Sequence, residues 1–212
     1  YQFKNLLHDH GIGWDRNSSL SSSRFDILSK SNLNSDSLYI SSRLGYYRLD
    51  KATALYAYGL FRYKKDLYGY LYPRIVNYPS KFPRYTGISR DISRLGFSSG
   101  ETDLSGIGFQ NDWLYFQMGR GREIWGSGLD IQIALTEYSP CYDYLTIGSD
   151  YGKLKVKYIH GFLESLPNGV NRYITGRGIE WSNNQSLLFS LSEIVIYSGE
   201  NRSLDLGYLN PI

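Results

Sequence analysis

The residues of this 212-residue chain best suited to chemistry are crowded between Gly119 and Gly128. There, Gly-Arg-Gly-Arg-Glu-Ile-Trp-Gly-Ser-Gly sets two guanidinium groups, a carboxylate and an indole close together. Arg120 and Arg122 are suited to grip an anionic ligand, and Trp125 to stack on a sugar ring, with Glu123 beside them. The plainer reading of the same run is a salt-bridge network in a polar interior, with the glycines allowing a tight bend. The glycine spacing is not a dinucleotide fingerprint, and the Gly-Lys-Ser/Thr ending of a P-loop is missing.

Other candidate chemistry is thinner. His8-Asp9-His10 has the look of a metal site, but no third ligand motif accompanies it, so neither a metal nor another cofactor is expected. No Ser-His-Asp order is attached to a nucleophile elbow. Cys141, the single cysteine, adjoins Pro140 and reads as structural rather than nucleophilic; no internal disulfide is possible. No catalytic set emerges, and the protein is read as a non-enzyme.

The elements that must position these residues are strands. From Ser37, Leu38, Ile40, Leu44 and Tyr46 fall on one parity, and Tyr39, Ser41, Arg43 and Gly45 on the other. Residues 52–64 repeat the pattern, with Leu55, Ala57, Gly59, Phe61 and Tyr63 opposed to Tyr56, Tyr58, Leu60, Arg62 and Lys64. A period of two means a strand with unlike faces. Further strands are expected at 67–72, 88–98, 106–110, 113–120, 144–149, 153–164, 173–181, 187–197 and 203–210. Turns are expected at Asp50-Lys51, Lys65-Asp66, Gly100-Glu101, Asn111-Asp112, Asp150-Tyr151-Gly152 and Pro167-Asn168-Gly169. Residues 73–85 hold Pro73, Pro79 and Pro83 and are read as a long loop, since proline does not suit a central strand. Residues 1–35 form an irregular segment or first hairpin, and residues 36–212 carry the strands.

Many of these strands are longer than the usual five or six residues. Long strands joined by alternating tight turns and longer loops favour a barrel of the outer-membrane type. Tyrosine leaves the choice open: 21 tyrosines stand beside 9 phenylalanines and 4 tryptophans, and a ring that suits both a pleated surface and a membrane interface fits a tyrosine-rich soluble sandwich as well as a barrel. The longest apolar-looking stretch, 54–61, is far short of the ~18 residues of a transmembrane helix. In strand 153–164, Leu154, Val156 and Tyr158 oppose Lys153, Lys155 and Lys157, a face that in a barrel points to an aqueous lumen. His160, Arg177, Glu180, Glu193 and Tyr197 are expected to join those lysines in a polar lumen network. The net charge of +3 comes from interspersed charges, so nucleic acid is not an expected partner.

Several motifs in order resemble the Wzi family of outer-membrane capsule-assembly proteins. Gly119-Arg120 followed by Trp125-Gly126-Ser127-Gly128 is similar to a family strand ending in Gly-Arg before Trp-Gly-x-Gly. Ile133-Ala134-Leu135-Thr136, Ser139-Pro140 and Tyr142-Asp143-Tyr144-Leu145 stand where the family has an apolar stretch, a bend and a strand. Tyr158-Ile159-His160-Gly161, the run from Ser192 to Gly199, and Tyr208-Leu209-Asn210-Pro211 resemble later family segments. The resemblance spans residues 113–212. It implies a barrel in the bacterial outer membrane that holds capsular or other surface polysaccharide, lectin-like and without catalysis, with outer-membrane lipid around a monomer. The alternative is a porin passing sugars or anions through a basic lumen.

The expected fold class is therefore all-β, an antiparallel transmembrane barrel of outer-membrane type, with about 10–11 strands in a partial barrel. The opening Tyr-Gln-Phe-Lys reads as a mature or trimmed segment, and further strands are expected after Ile212.

Overall fold

The computed structural model describes residues 20–22, 38–64, 66–82, 85, 95–125, 134–136, 139–166, 168–183 and 185–209. The long alternating segments become strands of one antiparallel sheet. These are β2 (Leu38–Leu49), β3 (Ala52–Tyr63), β4 (Leu67–Val76), β5 (Ser99–Gln110), β6 (Leu114–Gly121), β8 (Tyr142–Asp150), β9 (Leu154–Leu163), β10 (Val170–Ser182) and β11 (Leu188–Glu200). Their order is β11-β10-β9-β8-β6-β5-β4-β3-β2, a meander in which each strand pairs with its neighbour in sequence apart from one excursion. The excursion is β7 (Glu123–Trp125), which leaves the end of β6 and pairs with β1 (Leu20–Ser22) in a separate two-stranded ribbon. The fold is all-β and antiparallel, with no α-helix among the described residues. The nine-stranded sheet is open: β2 and β11 are its edges, and it does not close into a barrel.

The two faces differ sharply. One carries Leu38, Ile40, Leu44 and Tyr46 on β2, Leu55 and Tyr63 on β3, Leu67, Leu71 and Ile75 on β4, and Ile107 and Phe109 on β5. It continues through Phe116, Met118, Ile147, Val156, Ile179, Trp181, Phe189 and Leu191. All of these are exposed, Leu44 at 83%. The opposite face buries Tyr58, Tyr68, Tyr70, Tyr72, Tyr144 and Leu104, with Gln117 and Thr146 completely enclosed. We call them the apolar face and the tyrosine face.

The tyrosines lie flat because glycine stands across from them. Gly45 is paired with Tyr56, Gly106 with Tyr70, Gly108 with Tyr68 and Gly148 with Tyr115, and each ring occupies the space a Cβ would need. At Gly108 an added Cβ would come within 2.8 Å of the Phe116 carbonyl oxygen as well as into the Tyr68 ring. Gly108→Val is therefore expected to destabilise the sheet by about 1–3 kcal/mol. Gly59→Val, where a Cβ meets nothing within 4 Å, is expected to show no comparable loss; denaturation midpoints of the two variants compare them.

The connections sort by end. At one end they are short: 64–66, 111–113, 151–153 and 183–187. At the other, 77–98 and 122–141 are long, beside the shorter 50–51 and 164–169. Phe82, from the 77–98 connection, folds back against Ala52, Ala54 and Val76, and Tyr85 donates to Ser99 Oγ at 2.9 Å.

Four details correct the reading of the sequence. Pro73 lies inside β4, not in a loop: the register with β5 shifts between Tyr72 and Pro73, and this irregularity is where a residue without an N–H is tolerated. Gly100-Glu101 is continuous strand within β5, held by pairing to Arg74 and Ile75. Within 88–98, the described residues Leu95 and Gly96 are a turn, both with positive φ, and 88–94 lie outside the described residues. Residues 202–209 are not a strand: after Asn201 (φ 48°) the chain folds back, and Leu206–Leu209 forms one 3-10 turn. Of the 1–35 segment, only Leu20–Ser22 is described.

Candidate functional site

Two side-chain clusters stand out, one on each face. On the tyrosine face, β7 packs across β9 and β10. Trp125 is fully buried beside Ile159, and its ring lies over Gly176, where a Cβ would come within 3.0 Å of it. Glu123 Oε2 accepts from Trp125 Nε1 at 2.9 Å and pairs with Lys157 Nζ, both charged groups being buried. The Lys157 ammonium also lies 5.7 Å from the Trp125 ring centroid and 6.0 Å from that of Tyr115. The Glu123 backbone N–H donates to the Tyr142 hydroxyl. Nearby, Tyr68 donates to Gln117 Oε1 at 2.8 Å and Gln117 Nε2 donates to the Tyr144 hydroxyl at 2.7 Å. A buried charge needs a partner, and here the paired charges fasten β7 to the sheet.

The second cluster lies on the apolar face of β9, β10 and β11, toward the end with long connections. Tyr173, Tyr197 and Tyr208 form a stack, with centroids 4.9 Å and 4.4 Å apart and near-parallel planes. The Arg202 guanidinium lies 4.9 Å from the Tyr197 centroid. His160 touches the Tyr197 and Tyr158 hydroxyls at 3.4 Å each. Tyr158 donates to the Tyr208 carbonyl at 2.8 Å, and Tyr173 to the Arg202 carbonyl at 2.9 Å. Residues 202–208 thereby clasp this end of the apolar face.

The residues singled out in the sequence divide between these places. Glu123 and Trp125 come together with Lys157, as a salt-bridge network; Trp125 has no ring face open to stack on a sugar. Arg122 is buried, and its Nε donates to the Ser139 carbonyl at 2.6 Å. Arg120 is separated from them, on the apolar face, paired with Asp143 at 3.1 Å. Lys155 and Glu180 are cross-strand partners on the tyrosine face, with Lys155 also 3.6 Å from Asp150. Lys153 is exposed in the turn before β9. His160, Arg177, Glu193 and Tyr197 do not join the lysines: the register places them on the opposite face, with Arg177 and Glu193 paired to each other. The signal was present, since His160 has the parity of Leu154 and Val156. Cys141 is buried in the tyrosine cluster. His8, Asp9, His10 and Gly126 to Gly128 lie outside the described residues, and among the described residues no group of His, Cys, Asp and Glu is arranged to hold a metal.

What the sequence did not single out is the geometry of the apolar band. Hydrogen-bonded pairing carries one rung through Leu38, Tyr63, Leu67, Phe109, Phe116 and Ile147, and then into Tyr158, Arg177 and Glu193. On β2 and β3 this rung is the beginning of the band, which runs on to Tyr46–Leu55; on β10 and β11 it lies beyond the band, which holds only Ile179–Leu191 and Trp181–Phe189. The band thus crosses the sheet obliquely. Strands tilted to a flat boundary produce this stagger. Compared with models of protein families, with curated proteins and with solved structures, the chain matches none.

Proposed function

We propose that this chain forms part of the wall of an outer-membrane barrel, non-enzymatic, that anchors capsular or other surface polysaccharide. The observation that carries the membrane reading is the continuous, exposed and oblique apolar band on strands of 8 to 13 residues. A transmembrane strand needs ~9–11 residues at a tilt. Phe109 on β5 and the aromatic pair Trp181–Phe189 border the band at the end with short turns, and long connections gather at the other. Both features suit a barrel with short turns on one side and longer loops on the other.

The glycan reading rests on the ordered motifs from Gly119 to Pro211. A packed tyrosine face, with Lys157 and Glu180 buried, favours an anchor over a porin with an open basic lumen. Deleting the gene is expected to release surface polysaccharide into the medium, measured as the ratio of free to cell-bound glycan, while the purified protein is nearly silent in planar bilayers. Unchanged retention of glycan in the deletion strain rules out the anchor, and steady large conductance favours the porin.

A further inference from the structure

The charged residues on the apolar face are confined to one border. Among the described strand residues of that face they are Arg48 on β2, Arg120 on β6, Asp143 on β8, Arg177 on β10 and Glu193 on β11. Each arginine sits one rung beyond the last apolar pair of the exposed band on its strand: Arg48–Thr53 follows Tyr46–Leu55, Arg120–Asp143 follows Met118–Leu145, and Arg177–Glu193 follows Ile179–Leu191, the Tyr173–Tyr197 pair farther along β10 and β11 being buried. All three lie on the side of the long connections. The border by the short turns carries aromatic and aliphatic side chains on this face instead.

From this placement we propose that the arginine border binds the phosphate of anionic membrane lipid in the leaflet on the side of the long connections; the inference rests on the membrane reading above. One step along a strand face spans about 7 Å, so a ligand touching both an arginine and the adjoining band must join an apolar chain to an anion at that distance. A phospholipid has this form. Arg120 and Arg177 meet their carboxylates through Nη1, at 3.1 Å and 3.7 Å, and Arg48 Nε donates to the Asp50 carbonyl at 2.7 Å. A guanidinium has five N–H donors, so each retains donors for phosphate oxygens while the neighbouring carboxylate holds it in place. Asp143 and Glu193 also oppose any anion that does not bring its own chain into the band, which favours a lipid over free phosphate.

The test extracts the protein from bilayers of phosphatidylcholine and phosphatidylglycerol with matched chains and counts retained lipids by native mass spectrometry. The wild type is expected to retain phosphatidylglycerol preferentially. R120Q/R177Q is expected to weaken that preference about fivefold per arginine, and R120K/R177K to keep most of it. K64Q, changed in a short turn at the opposite border, is expected to leave it intact. Equal retention of both lipids by the wild type, an unchanged preference in R120Q/R177Q, or loss of the preference to inorganic phosphate alone overturns the proposal and leaves the membrane reading standing. Failure to enter either bilayer overturns both.

Discussion

Replacing Glu123 by alanine is expected to cost about 3–5 kcal/mol of stability, because it breaks a buried ion pair by removing one of its two charges. Lys157 is almost wholly enclosed and pairs with Glu123, and its ammonium lies 6.0 Å from the Tyr115 ring centroid and 5.7 Å from that of Trp125. The same substitution removes the acceptor for Trp125 Nε1. The loss is expected to fall first on the ribbon of β1 and β7, so Trp125 fluorescence should report it at lower denaturant than the sheet unfolds. Glu123→Leu combined with Lys157→Met is expected to recover most of the loss, since a matched apolar pair carries no desolvation penalty. A double variant as unstable as Glu123→Ala would mean that the polar contacts of Glu123, its hydrogen bond from Trp125 Nε1 among them, carry the stability rather than the relief of a buried charge.

Placing an arginine at Ile147 separates a membrane wall from a sheet in water. Ile147 pairs with Phe116, between the Met118–Leu145 and Leu114–Ser149 rungs, in the middle of the band on β6 and β8. In a bilayer Ile147→Arg is expected to cost about 2–4 kcal/mol, and Thr53→Arg, at the border beside Arg48, about 0–1 kcal/mol. In water both sites are exposed or partly so, and both changes are expected to be nearly neutral. The measurement is the urea midpoint for folding into phosphatidylcholine vesicles, with the variants run side by side.

Alternation made much of the fold legible. Leu38 to Tyr46 and Leu55 to Tyr63 show their parity directly, and the structure keeps it. Local residue preference puts Pro73 in a loop and Glu101 in a turn, because it is silent about a register shift between two particular strands. The residues after Asn201 look strand-like in sequence, but the backbone folds over β10 and β11, where Tyr173 and Asn171 donate to the Arg202 carbonyl. The charged site was half legible. The run from Gly119 to Gly128 announced paired charges, but the partner of Glu123 is Lys157, brought near only by the excursion of β7 across β9. The polar chemistry of His160 and Arg177 suggests a lumen, but their parity already points to the apolar face. The oblique band needs the register of every neighbouring pair, which no single segment of sequence contains.

The most direct test of the membrane wall is the accessibility of nitroxide labels placed singly at Leu44, Leu71, Met118 and Ile179, in a Cys141→Ser background and in phosphatidylcholine bilayers. All four native side chains lie on the apolar face, and a label at Lys153, in a short turn, serves as the aqueous reference. At the four band positions, collisions with dissolved oxygen are expected to exceed those with a water-soluble nickel chelate, with the reverse at Lys153. Nickel chelate reaching all four positions as readily as Lys153 would contradict a lipid-facing band.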